Sequence, residues 1–331
     1  MSSQSNAALI DAHTSPTAYL QEIWLPGATR ALVCDQSQTP SRSHKFWPAW
    51  SYVRMRRQLG HIGQGPVTWV LSSSGQMASA FAVVTAGIPG FTLWVVTDRL
   101  SSPYLVDKLE TFDHVHVDVV DQPDETGSHM QARYQRIEEI CREHPKAKVI
   151  DQYGDWCIPL AYGDSLVENV VDAAQGDIGA VFCSAGTVGH GYAFIAHSAS
   201  QQSPYPVFLA DSPGSRLFQS APRERRRFPA YGNGTTTAFS RACGGVNPVY
   251  VEDEEVVSAC DFLRHCAGLF VGPSSGAVTA AFLKLAWSDP PVLPHVGSSI
   301  LIFPDGGEWY SDSLWSETWR AERGLEGLRA I

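Results

Sequence analysis

The sequence predicts an α/β protein of two doubly wound domains built on mostly parallel sheets, and three observations carry that prediction. Apolar strands alternate with helical segments in two successive series, the strands are apolar throughout as in sheets covered on both faces, and 331 residues exceed what one core usually organises. The first series opens with a strand over 67–71, a small polar loop over 72–75, an apolar helix over 77–86 and, past Gly87-Ile88-Pro89-Gly90, a strand over 91–96. A helix at 104–111, a strand at 114–119, the polar turn DQPDETGS, a helix at 130–143 and a strand at 148–150 complete it. The second series places a helix at 165–174, a strand at 180–183, a helix at 188–197 and a strand at 206–210. It closes with a strand at 249–251, helices at 254–265 and 275–287, and a strand at 299–303. Residues 212–243 show no period, and a long irregular stretch inside a compact domain is often functional. The change of series predicts a hinge near 151–160, a smaller domain of residues 46–154, and a larger one of residues 1–45 and 155–331.

Composition narrows the function. Hydrophobic residues at 44% and charged residues at 18% suit a packed core and not a disordered chain. Twenty-four basic against 34 acidic residues give a net charge of −10, which argues against nucleic acid and anionic membranes and for a small-molecule partner. The uncharged run 67–97 is cut by SSSG, Pro89 and two glycines into pieces too short to span a bilayer. Seven cysteines, odd in number and without a CxxC pair, suggest reduced core thiols and no zinc site. The opening MSSQSNAALIDAHTS lacks a basic and then apolar leader, so a cytoplasmic location is expected.

Of five lysines, Lys108, Lys146, Lys148 and Lys284 sit in helices or beside a turn. Lys45 differs: it follows small polar residues, stands just before Pro48 at a helix start, and is set among Phe46, Trp47 and Trp50. Desolvation there would lower its pKa and suit a Schiff-base amine, although a lysine at a helix start is more often a surface residue. The segment SAGTVGHG (184–191) follows an apolar strand and opens a helix, so its amides can hold a phosphate. A plain glycine turn is one alternative. A dinucleotide site is another, since Asp211 ends the next strand as a ribose-binding acid would, but GTVGHG is not GxGxxG.

Lys45 in SHK, SSSGQM (72–77), GTVGH (186–190), VGPSSGAV (271–278) and FPDGGEWY (303–310) stand in the order and at roughly the spacing of the cysteine synthase family. These are fold type II pyridoxal phosphate enzymes, tryptophan synthase β-like in fold. Within them the chain most resembles the synthases of aminocarboxyethyl-amino acids and 2,3-diaminopropionate precursors, through SSSG, IDQY (150–153) and MQAR (130–133). The resemblance covers about residues 20 to 312.

The resemblance implies pyridoxal 5'-phosphate as cofactor, carried by Lys45 as its Schiff-base lysine, in the larger domain. Gly186, Thr187, Val188, Gly189 and His190 would grip the phosphate, and Ser274 would meet the pyridine nitrogen and leave it neutral. A helix N-cap is the other reading of Ser274 and Ser275. Ser73, Ser74, Gly75, Gln76 and Met77 would clamp the substrate carboxylate in the smaller, mobile domain, with Gln152 and Tyr153 nearby; a solvated hinge residue is the other reading of Gln152. Substrate would then draw the domains together. Two positions depart from the family: Gln76 stands where Asn is usual beside the cofactor, and His190 where Thr is usual. Gln76 with His44-Lys45 resembles the tryptophan synthase β subunit, but Leu71 replaces its acidic residue, which disfavours a carbon nucleophile.

The activity implied is β-replacement on an activated L-serine (O-phosphoserine or O-acetylserine) through an aminoacrylate, with an amine or thiol as nucleophile, by a homodimer. A serine or threonine dehydratase and a catalytically silent binding subunit are the rivals. Arg223, Arg225, Arg226 and Arg227 form either a solvated patch or, through Arg227 or Arg226 with Arg133, a grip on a phosphate leaving group, which favours O-phosphoserine.

Overall fold

The apolar runs become strands largely where the pattern places them. The computed structural model describes residues 19–325 apart from 64, 74, 100, 123–128, 220–227, 229, 245, 247, 291, 294 and 295. Its strands, in chain order, are β1 (Gln21–Leu25), β2 (Thr29–Asp35), β3 (Val67–Ser72), β4 (Phe91–Asp98), β5 (Val115–Val120), β6 (Lys148–Ile150), β7 (Ile178–Ser184), β8 (Val207–Asp211), β9 (Val249–Tyr250) and β10 (Ser298–Phe303). They form a four-stranded sheet, β5-β4-β3-β6, and a six-stranded sheet, β1-β2-β10-β7-β8-β9. Every pairing is parallel except β1 with β2. This is the α/β architecture with parallel sheets that the alternation predicts. Each sheet anchors one compact unit, residues 45–161 for the smaller and residues 19–44 with 162–325 for the larger.

In the smaller unit, Val70 and Val96 of the sheet pack with Ile137 and Ile140 of the Met130–Glu143 helix, all 5% exposed or less. On the other side, the Phe46–Gln58 helix lies on the Gln76–Thr85 helix. Tyr52, Trp69 and Phe81 meet there edge to face at 5.4–6.1 Å, the arrangement that aligns ring edges with ring faces. In the larger unit, the Pro273–Ala286 helix packs on β7, β8 and β10, with Phe282 edge-on to Phe182 at 5.3 Å.

Three differences from the sequence reading have local causes. β1 and β2 were not expected. β1 is a five-residue edge strand of mixed burial, and its antiparallel partner follows after a three-residue 3-10 turn, too short for the strand-helix rhythm to register. The helix expected at 165–174 begins at Cys157 and passes through a π-helical turn at Gly163–Val167, so residues 157–160 of the expected hinge stretch are helical. The aperiodic segment 212–243 holds a short helix, Ala238–Ala242, capped by Thr237.

Candidate active site

Parallel strands deliver their loops at one end of a sheet, and the SSSGQM segment, Gln152-Tyr153 and the GTVGH turn lie on such loops, after β3, β6 and β7. In the larger unit the GTVGH turn follows β7 and leads into the Gly189–Ser200 helix. The turn closes because Val188 adopts a left-handed conformation, φ 68° and ψ −2°, unusual for a β-branched residue. Its side chain is fully buried and its carbonyl accepts from Tyr192 N at 2.8 Å, which holds it there. The carbonyls of the turn are tied from outside: Gly186 O accepts from Asn233 Nδ2 at 3.3 Å, Thr187 O from Thr237 Oγ1 at 3.0 Å, and Ala185 O from Gly232 N. A Cβ at Gly191 would stand 2.6 Å from Leu209 Cδ2 where the helix approaches β8, so any side chain there would have to displace Leu209. Gly186 has no such neighbour, the nearest atom to a Cβ being Ala230 O at 3.9 Å, so open space borders the turn.

Ser274 is 2% exposed in the first turn of the Pro273–Ala286 helix. The N-cap is Gly272 and makes no side-chain cap bond, so neither Ser274 nor Ser275 is the helix cap; Ser275 Oγ is buried without a hydrogen-bond partner. The FPDGGEWY segment fastens the chain that leads to Lys45. Ser43 bridges Asp305, His44 N donates to Pro304 O at 2.6 Å, and Trp309 Nε1 donates to Arg42 O at 3.3 Å. Asp305 itself is buried and accepts from Tyr310 OH at 2.9 Å. The His44 ring stacks on Tyr162 at 5.7 Å and meets His190, the last residue of the turn, edge-on at 4.7 Å. Burial raises the Tyr162 hydroxyl well above the ordinary tyrosine range. Asp211 is turned to its own loop, accepting from Ser212 N at 2.9 Å.

In the smaller unit Lys45 sits at the N-cap of the Phe46–Gln58 helix, and its carbonyl accepts from Ala49 N. It is buried, as are Phe46, Trp47 and Trp50; the other four lysines are exposed or half-buried. The SSSGQM loop follows β3. Ser73 Oγ accepts from Gly75 N at 3.1 Å and Ala78 N at 3.3 Å, capping the next helix, and Met77 is buried. Gln76 Oε1 and Ser72 Oγ are buried without partners. Gln152 is buried and donates to Ser72 O at 3.0 Å, so it braces the loop and is not a solvated hinge residue. Tyr153 N donates to the Asp151 carboxylate. Arg133 is buried in an ion pair with Asp98, with its Nε unpaired. Ser74 and the arginines at 223 and 225–227 lie outside the described residues.

Within the smaller unit the structure thus brings together Ser73, Gly75, Gln76, Met77 and Gln152, while Arg133 is committed to Asp98. Sequence reasoning missed Tyr162, Asn233, Thr237 and Asp305, which act on the site through other residues. Asp305 lay in the FPDGGEWY segment and Asn233 and Thr237 in the aperiodic stretch 212–243, both of which had been singled out without naming these residues; Tyr162 lay in neither.

A family model, pyridoxal-phosphate dependent enzyme, matches residues 19–290. An N-(2-amino-2-carboxyethyl)-L-glutamate synthase of Cupriavidus metallidurans is 30% identical over 305 residues, covering 88% of this chain and 85% of its own. Among solved structures, an O-ureido-L-serine synthase superposes with a TM-score of 0.75 at 19% identity, covering 95% of this chain and 98% of the other. An O-acetylserine dependent cystathionine beta-synthase from Helicobacter pylori reaches 0.77 at 18% identity, covering 92% and 97%. The chain belongs to the pyridoxal-phosphate dependent enzyme family, and its fold is that of the fold type II enzymes. The residues of the larger unit fit that cofactor: open space beside Gly186, a helix N-terminus after it, and an orphaned buried hydroxyl on Ser275 suit a phosphorylated, hydrogen-bonding ring.

Proposed function

We propose that the chain catalyses β-replacement on an activated L-serine, and the observation that carries this reading is the burial of Lys45, 8% exposed at the head of an aromatic-rich helix. Bound through Lys45, pyridoxal 5'-phosphate supplies an electron sink that acidifies the Cα proton of an amino acid and lets its β-substituent depart. The Lys45 amine takes that proton from Cα and passes it toward the leaving oxygen. Ser73, Ser74, Gly75, Gln76 and Met77 hold the substrate carboxylate through amides and hydroxyls, with Gln152 keeping the loop in shape. Gly186 to His190 hold the phosphate. The Ser274 hydroxyl serves the ring nitrogen without protonating it, which disfavours transamination.

The Cupriavidus relative is named for a product with an aminocarboxyethyl group on glutamate nitrogen, which favours an amine over a thiol as nucleophile. The enzyme acts as a homodimer, as the family resemblance implies. Its seven cysteines are all free thiols, which suits the cytoplasm, and no helix among the described residues is long and apolar enough to cross a membrane.

The test is mass spectrometry of products after offering O-phospho-L-serine or O-acetyl-L-serine with a panel of amines and thiols. A new Cβ–N adduct is expected. Pyruvate alone, whatever the nucleophile, would make the protein a dehydratase, and no turnover with cofactor bound would make it a binding subunit.

A further inference from the structure

The smaller unit has a cavity at the end of its sheet opposite the SSSGQM loop, where β3 and β6 begin. It encloses about 360 Å³, and its lining includes Arg56, His61, Trp69, Lys146 and Lys148. We propose that this cavity is a binding site for a small multivalent oxyanion.

Three basic side chains, Arg56, Lys146 and Lys148, share the cavity, and none of them makes an ion pair among the described residues. The Arg56 guanidinium is occupied only by neutral groups: Nη2 donates to Tyr52 OH at 3.1 Å and Nη1 to His61 Nδ1 at 3.3 Å, while Nε is buried without a partner. Accepting at Nδ1 leaves the neutral His61 ring with its proton on Nε2, a further donor. Arg56 and Lys148 both sit over the Tyr52 ring, at 5.0 and 5.5 Å from its centroid, so one aromatic side chain serves two like charges. Burial and then the neighbouring Arg56 lower the Lys148 pKa; Asp155 opposes this from the next segment without pairing with the ammonium. The helix dipole accounts for a cation at Arg56, near the C-terminal end of the Phe46–Gln58 helix. It does not account for Lys146 and Lys148, which enter from β6 and the turn before it. In a chain of net charge −10, a cavity that collects three basic side chains with no ion-paired carboxylate among the described residues is matched by a ligand carrying at least two negative charges.

The experiment uses full-length, cofactor-loaded enzyme, whose phosphate turn is already occupied. Inorganic phosphate, pyrophosphate and citrate are titrated by calorimetry at constant ionic strength. Saturable binding is expected, with Arg56, Tyr52, Asp155 and Cys157 as the titratable groups that act on Lys148. Arg56→Met and Lys148→Met should each weaken binding about tenfold. Because Arg56→Met also removes the Tyr52 contact, the double variant Lys146→Met/Lys148→Met provides a second, more exposed test. Binding by the phosphates alone would identify a phosphorylated ligand, and binding by citrate alone a polycarboxylate. Heats that vanish at matched ionic strength, or binding undiminished in the double variant, would overturn the proposal.

Discussion

Gly75 has φ 155° and ψ −80°, a conformation in which a side chain is strained whatever the space around it, and a Cβ would also stand 2.7 Å from Leu105 Cδ2. Gly75→Ala should therefore cost about 1–3 kcal/mol in urea unfolding and raise the KM for a serine ester, since the strain falls on the loop assigned to its carboxylate. Lys45 is tested by borohydride reduction of the loaded enzyme and peptide mapping. The pyridoxyl group should appear on Lys45, and label on any other lysine would refute the assignment. Arg227 belongs to the question of the leaving group. If it grips a phosphate, Arg227→Ala lowers kcat/KM for O-phosphoserine by roughly 2–3 kcal/mol and spares the acetyl ester. Equal losses on both esters would remove it from the mechanism. The burial of Lys45 was legible in the sequence because Lys among Trp and Phe at a helix start is chemically odd. Tyr162 was not, because nothing around it in the chain says that His44 and His190 will come to its ring.

The Ala238–Ala242 helix has only five residues, yet its cap acts on the GTVGH turn proposed to hold the phosphate. Thr237 Oγ1 accepts from Ser240 N at 3.0 Å and donates to Thr187 O at 3.0 Å. Thr237→Val removes both bonds and should cost about 1–2 kcal/mol of stability with weaker cofactor retention, whereas Thr237→Ser should keep both. Equilibrium dialysis of the cofactor separates the two variants. Elements with a strong apolar period were readable from the chain: the Met130–Glu143 helix and β6 have the boundaries that the pattern predicts. β9, two residues paired with β8, falls within the strand expected at 249–251, whereas β1, an edge strand of mixed burial held by β2 alone, was not readable. The π-helical turn after Tyr162 has no local sequence sign, since its geometry follows from packing.

At the scale of the whole molecule, buried thiols set an alkaline limit to stability. Burial pushes Cys34 up to about 12 and Cys243 up to about 11, and raises Cys183 and Cys260 as well. In the unfolded chain an ordinary thiol ionises near about 8.5. The native state therefore holds protons that the unfolded state has lost, and their contribution, complete below about pH 8.5, declines as pH rises toward 11 and 12. Urea unfolding at pH 7.5 and 10 should show the decline. Exposed Cys266 should react with a thiol reagent in the native protein well before Cys34, Cys183 and Cys260 do.

The placement of β2 beside β10 also bears on how the protein is made. Leu32 pairs with Ile300, and Arg30 Nη1 reaches Ser298 Oγ across 268 positions of chain, so the middle of the larger sheet joins the first strands synthesised to the last. The smaller unit is one continuous stretch, 45–161, with all its strand pairs inside it. On the ribosome it can complete its sheet while β2 still lacks a neighbour on its inner edge, and that waiting edge is open to pairing with other nascent chains. Chains arrested after residue 200 should already protect residues 45–161 from protease. Chains arrested before β10 should aggregate, through β2, more readily than the finished protein.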